Sequence, residues 1–150
     1  DAAAQDIEFC ERVMPGNIDL AIQLVPALEK QGRRKEAEAM YRKHLDVQRR
    51  MVREYPDSAG LHNSLAWLTA SLRRDLEEGE KHSQKAVGLE PTLPGYRDTL
   101  AEILFQRGKK DEAITHMKKC LALEPQREYY RRQLKRFESG DSKSEIPNED

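Results

Sequence analysis

Apolar residues along this chain recur at helical spacing. In DTLAEILFQRG, the residues Leu100, Ala101, Leu104 and Phe105 fall at i, i+1, i+4 and i+5. In KDEAITHMKKCLALEP, the residues Ala113, Ile114, Met117, Cys120 and Leu121 form one stripe. Gly108 closes the first of these segments and Pro125 follows the second, which are stop signals for helices. No β-branched alternation occurs anywhere. The pattern predicts eight helices, over 3–14, 17–31, 34–55, 58–73, 76–89, 93–107, 110–123 and 126–138.

The stripes themselves repeat. Pro91 and Pro125 lie 34 residues apart, as do Gly79 and Ala113, Ala86 and Cys120, and Leu100 and Leu134. Ala3, Ile7, Cys10 and Pro15 are followed at the same interval by Ala37, Tyr41, His44 and Arg49. A fixed period of this length marks a chain built by stacking one small unit, each burying a face against its neighbour.

The unit carrying Leu100, Ala101, Leu104, Gly108, Ala113, Met117, Cys120 and Pro125 resembles the tetratricopeptide repeat, a 34-residue helix–turn–helix. Arg97 stands where that family usually has Trp, with Tyr96 beside it. The middle unit reads Ala66, Trp67, Ala70, Gly79, Ala86 and Pro91. It has Arg74 instead of Gly at its turn and Ser83 in place of an aromatic, so it is the weaker match. The first reads Leu24, Val25, Leu28, Gly32, Ala37, Tyr41 and His44. The resemblance implies an all-α, right-handed superhelical α-solenoid of about eight helices in antiparallel pairs. It implies a repeat domain over 1–138: the second helix of a truncated repeat at 3–14, repeats over 17–56, 58–91 and 93–125, and a capping helix at 126–138. The polar stretch 139–150 reads as a disordered tail.

Two departures carry structural expectations. Ala37 and Gly79 are 42 residues apart, while Pro56 and Pro91 are 35 apart, so the helix 34–55 is about two turns longer than its counterparts. Pro26, inside IQLVPALEKQG, predicts a kink or a helix that begins only near Pro26. Because the chain opens DAAAQDIEF, without Met, it reads as a piece of a longer protein with room for a leader upstream. The compartment stays open, with the cytoplasm as default.

Composition agrees with a layered array. Hydrophobic residues make up 37% of the chain and charged residues 35%, a thin apolar supply for a single-centred globule. The net charge of −1 gives no general attraction for nucleic acid or an anionic membrane. No apolar run approaches the ~20 residues that a membrane span needs. Cys10 and Cys120 occupy equivalent places in the period, which a stack keeps apart, so they read as small buried thiols.

Catalytic and metal patterns are missing. There is no glycine-rich phosphate loop, GxSxG, CxxC or HExxH. His44, His62, His82 and His116 lie on different predicted helices without ligand spacing. His44 reads as a packed core residue, and His82 and His116 as exposed. Glu77 and Glu78 suit a helix N-terminus for dipole reasons alone. The last helix carries Arg127, Arg131, Arg132, Lys135 and Arg136 nearly unopposed, a minor RNA or acidic-partner signal. No enzyme activity, metal or cofactor is expected.

In stacks of the resembled kind the first helices line a concave surface. Register places Ile22, Pro26 and Glu29 on that line, then Leu61, Ser64, Leu68 and Ser71 with Leu72, then Asp98, Glu102 and Phe105, then Arg132 and Arg136. These residues, apart from Pro26, Ser71 and Leu72, form the candidate peptide-binding groove, apolar in the middle and acidic beyond. Apolar anchors would supply affinity and the acids would select a partner bearing Lys or Arg. Arg132 and Arg136 follow Asp98 and Glu102 by 34 residues and are expected to pair with them across neighbouring helices. The family's Lys and Asn residues that hold a peptide C-terminus are absent from the matching positions. The function expected is a non-catalytic interaction module for a protein or peptide. The alternative is a structural spacer or self-association element, with a second copy as partner.

Overall fold

A computed structural model describes residues 16–141, and these comprise seven α-helices with no strand among them. They are α1 Ile18–Lys30, α2 Arg34–Glu54, α3 Ala59–Leu72, α4 Leu76–Leu89, α5 Pro94–Gln106, α6 Lys110–Leu123 and α7 Glu128–Ser139. The helix expected at 3–14 and most of the expected tail lie outside the described residues. The chain divides into two compact units, residues 1–56 and 57–150.

In the first unit α1 packs on α2. Asn17 caps α1, its side chain accepting from the Asp19 N–H at 2.9 Å. The helix therefore starts well before Pro26 and runs through it, so the expectation of a start near Pro26 gives way. Its stripe of Ala21, Val25 and Leu28 is buried, as are Ala37, Tyr41, His44, Leu45, Gln48 and Val52 on α2. Helix α2 has 21 residues against 14 for α4 and for α6, a difference of 7, or about two turns. Gln48 on this extension donates to the carbonyl of Gly16 at 2.9 Å, tying the entry of α1 to α2.

In the second unit each of the helices α3 to α7 packs on the next, and α3 also packs on α5. Equivalent positions share environments: Ala86 and Cys120 are both fully buried, and Leu134 joins the core around Leu100. The turns explain the boundaries. Gly32 and Gly108 sit at φ 76° and 78°. The amide after each glycine closes back on the helix, Arg33 on the Leu28 carbonyl at 2.9 Å and Lys109 on that of Leu104 at 2.8 Å. Between α3 and α4 the same closure is made without glycine. Arg73 takes the left-handed conformation at φ 52°, and Arg74 donates to the Thr69 carbonyl at 3.0 Å.

The α3–α4 pair, the weaker match in sequence, is closely packed. Thr69 on α3 is fully buried, its hydroxyl donating to the Ala66 carbonyl at 2.7 Å. A Cβ added at Gly79 would meet Thr69 Oγ1 at 2.0 Å. Ala37 and Ala113 stand at this place in the other pairs, and Gly79 replaces them because Thr69 fills the space.

Candidate functional site

The ten candidate residues divide between the two units. In the first, Ile22 is half-buried and Glu29 exposed, both on α1. In the second, α3 presents Leu61 and Ser64, both half-buried, and α7 presents exposed Arg132. The remaining five are interior. Leu68 is 0%, Glu102 1%, Asp98 4%, and Phe105 and Arg136 8% exposed. The sequence placed them on an accessible wall. Instead α3 is covered by both α4 and α5, and side chains of α7 close over α5.

Four of these buried residues belong to one polar seam between α5 and α7. The Tyr129 hydroxyl donates to Asp98 Oδ2 at 2.9 Å and accepts from Gln133 Nε2 at 2.9 Å. Arg136 Nε donates to Gln133 Oε1 at 2.8 Å, and its Nη2 is ion-paired with Glu102 Oε2. Gln106 Nε2 then donates to Glu102 Oε1 at 2.8 Å and to the Ala70 carbonyl on α3 at 3.0 Å. The Arg136 guanidinium lies 5.2 Å from the ring centre of Phe105 and 4.8 Å from that of Phe137, whose rings stack 4.6 Å apart. The expected Arg136–Glu102 pair is present. The expected Arg132–Asp98 pair is replaced by Tyr129, which lies on the buried side of α7 while Arg132 points outward.

The seam changes the electrostatics of the candidate line. Both acids expected to read a basic partner face partners on α7, buried in the same seam. The basic face of α7 is also reduced. Arg136 is interior, Arg131 binds Glu128 and the Pro125 carbonyl, and Arg127 lies over the Tyr130 ring. Arg132 and Lys135 remain exposed.

Other titratable groups are structural in their placement. Glu80 is held between Lys109 Nζ at 2.7 Å and Arg107 Nη1, joining α4 to the turn after α5. Burial raises its carboxyl, but Lys109 and Arg107 together outweigh that and hold it below the usual range. Burial pushes the Cys120 thiol up to about 12, with nearby Asp98 adding to the shift. His44 is buried, as expected. His116 is half-buried, and burial, then Lys119 and Arg97, lower its proton affinity. His82 is also half-buried, contrary to the expectation of exposure, because it meets His62 across the α3–α4 crossing. Their Nδ1 atoms are 2.7 Å apart, a contact that no sequence spacing suggested. Among the described residues no group of three or more His, Cys, Asp or Glu is placed to hold a metal ion. No helix among them is long and apolar enough to cross a membrane.

Arg97, where the resembled family usually has Trp, has its own use. It donates twice to the Pro91 carbonyl, at 3.0 and 2.8 Å, and Arg131 donates to that of Pro125 one period later. The substitution thus recurs as a device that ties α5 and α7 each to the turn before it.

Helix pairs of this length, joined by glycine-type turns and matched at a 34-residue period, define an all-α helical-repeat protein. Residues 95–127, the α5–α6 pair with its closing turn, match the family model described as "Tetratricopeptide repeat". Three solved structures share the fold. The thermophilic TPR protein TTC0263 of Thermus thermophilus is 24% identical, covers 91% of this chain and 70% of its own, and has a TM-score of 0.64. The first TPR of Spaghetti (RPAP3), bound to the HSP90 peptide SRMEEVD, is 18% identical, covers 77% of this chain and 90% of its own, and has a TM-score of 0.62. The second TPR domain of human RPAP3, in complex with the HSP70 peptide SGPTIEEVD, is 19% identical, covers 79% and 92%, and has a TM-score of 0.60. No curated protein matches the chain by sequence.

Proposed function

We propose that this protein is a non-catalytic interaction module that docks a protein or peptide segment on its first helices. In the second unit the docking surface is the accessible part of that line, Leu61 and Ser64 on α3 with Arg132 on α7. In the first unit Ile22 and Glu29 offer the corresponding part of α1. The observation that carries this reading is the partial exposure of Leu61 beside Ser64 near the start of a helix whose other leucines are Leu65 and Leu68, fully buried, and Leu72, likewise half-buried in its last turn. A half-exposed Leu on such a helix is an anchor for an apolar side chain. The peptide complexes of two structurally similar domains support the reading by analogy of fold. The seam residues Asp98, Glu102, Phe105 and Arg136 set the spacing of α5 and α7 rather than touch the partner.

The test is an array of short random-sequence peptides probed with the wild type and with Leu61→Glu. The wild type selects a peptide set enriched in an apolar position, and Leu61→Glu loses it while keeping its thermal transition. Identical selections by the two proteins would remove this surface from consideration.

A second reading, self-association or a spacer role, is favoured by one observation. Tyr55 is 61% exposed at the end of the lengthened α2. Sedimentation of the wild type and Tyr55→Ser across concentration distinguishes it: a dimer that weakens on substitution supports the reading, and a monomer throughout rejects it.

A further inference from the structure

We propose that His62 and His82 form a proton-sensitive latch in the α3–α4 pair, which holds when the two rings share a single proton and opens when both are forced to carry one. The latch stands on its own geometry. Its consequence, looser docking on α3 in acid, rests on the docking reading above.

The rings meet head to head, with Nδ1 atoms 2.7 Å apart, centroids 5.0 Å apart and planes tilted by 30°. Only one hydrogen fits between two nitrogens at that distance, so one ring donates its N–H and the other must offer a lone pair. A first added proton is compatible with this contact. It can sit on the outer nitrogen of the donor ring and make the bond charge-assisted. A second added proton is not compatible, because it must occupy the accepting nitrogen. The hydrogen bond is then lost and two cations face each other at contact distance. His62 is 6% exposed and His82 is half-buried, so a second charge at this contact has little access to water on the His62 side.

Most charged groups on the elements packed around the pair have partners of their own. Between Ala59 and Leu72, α3 carries no Asp, Glu, Lys or Arg, and Asp57 ahead of it is exposed. On α4, Glu78 lies one turn before His82, with Lys81 one residue before it and Lys85 three residues after it. Glu77 is engaged by Lys81, and Glu80 by Lys109 and Arg107. On α5, Arg97 binds the Pro91 carbonyl, Asp98 accepts from Tyr129 and Glu102 is paired with Arg136. Tyr96, beside Gly60, has its phenol raised first by burial and then by Glu90, so it stays neutral in acid. His62 lies next to Leu61 and two residues before Ser64, so losing its contact disturbs the proposed docking helix directly.

The direct experiment is an imidazole nitrogen NMR titration of the wild type from pH 7.5 to 4.5. The latch predicts that the pair takes up one proton with the contact intact, and a second only as the Nδ1–Nδ1 contact breaks. Two independent, overlapping titrations with unchanged helix signals would overturn it. His82→Gln, whose amide can donate to a neutral His62 or turn its oxygen to accept from a protonated one, and His62→Gln provide a stability arm. Both variants lose less of their thermal midpoint than the wild type between pH 6.5 and 4.5, and equal losses would overturn the latch. His44 and His116 are unchanged in all three proteins, so their contributions cancel in the comparison. Peptides selected on the array are then rebound at pH 7.5 and 4.5. If the latch is present but no peptide binds at either pH, the docking reading fails and the latch stands.

Discussion

Arg136 and Glu102, 34 residues apart, form an ion pair that is sealed inside the protein, with side chains 6% and 1% exposed. Surface pairs contribute little to stability, but a buried charge that loses its partner is costly. The pair therefore acts as a fixed pin between α5 and α7, and the stacked rings of Phe105 and Phe137 complete the enclosure.

Arg136→Ala leaves the Glu102 carboxylate buried beside Gln106 alone and is expected to destabilise the chain by about 3–5 kcal/mol. Replacing both partners, as Arg136→Met with Glu102→Leu, should cost much less than the sum of the single changes. Urea unfolding of the four proteins checks this, and additive losses would show that the pair is not a unit.

Gly79→Ala places a methyl 2.0 Å from Thr69 Oγ1, so one of the two must move. The expected loss is about 1–3 kcal/mol, the usual range for overpacking. Thr69→Ala removes the obstacle, and the double variant should be more stable than the two single losses together imply. Thermal denaturation of the complete cycle measures this coupling.

The Glu80 carboxyl has a lowered proton affinity in the folded chain, because Lys109 and Arg107 outweigh its burial. A lowered folded value means that the unfolded state binds the proton more tightly. Its stabilisation is therefore present above the ordinary carboxylate value and is lost as the pH falls through the folded one. Glu80→Gln should be less stable than the wild type at pH 7, and the gap should narrow towards pH 3. Stability measured against pH for both proteins gives the result directly.

Cys120 is fully buried, and its thiol is pushed up to about 12. Thiolate reactivity follows deprotonation and access, so this group is inert at neutral pH. In a Cys10→Ser chain, a chromogenic disulfide reagent at pH 7.5 should find almost no thiol in the native protein and one thiol per chain in urea.

The helices were legible because their signals are local. The stripe through Ala113, Met117 and Cys120 and the stops at Gly108 and Pro125 predict 110–123, the span that α6 occupies. The Glu102–Arg136 pair was also legible, since opposite charges separated by one period fall on neighbouring first helices. Burial of the line was not. Whether Asp98 meets Arg132 or Tyr129 depends on how α7 rotates about its axis, and periodicity alone does not set that rotation. Leu68 was assigned to an open wall by register, yet α4 and α5 both cover its helix. The His62–His82 contact joins residues 20 apart and depends on the depth of the α3–α4 crossing, which the Gly79–Thr69 fit decides.

Amide and methyl chemical-shift mapping with an array-selected peptide is the most direct test of the account. The proposal predicts shifts at Leu61, Ser64 and Arg132, with the Asp98, Glu102 and Arg136 seam unmoved. Shifts confined to the second helices, around Lys81, Lys85 and Lys118, would contradict docking on the first helices.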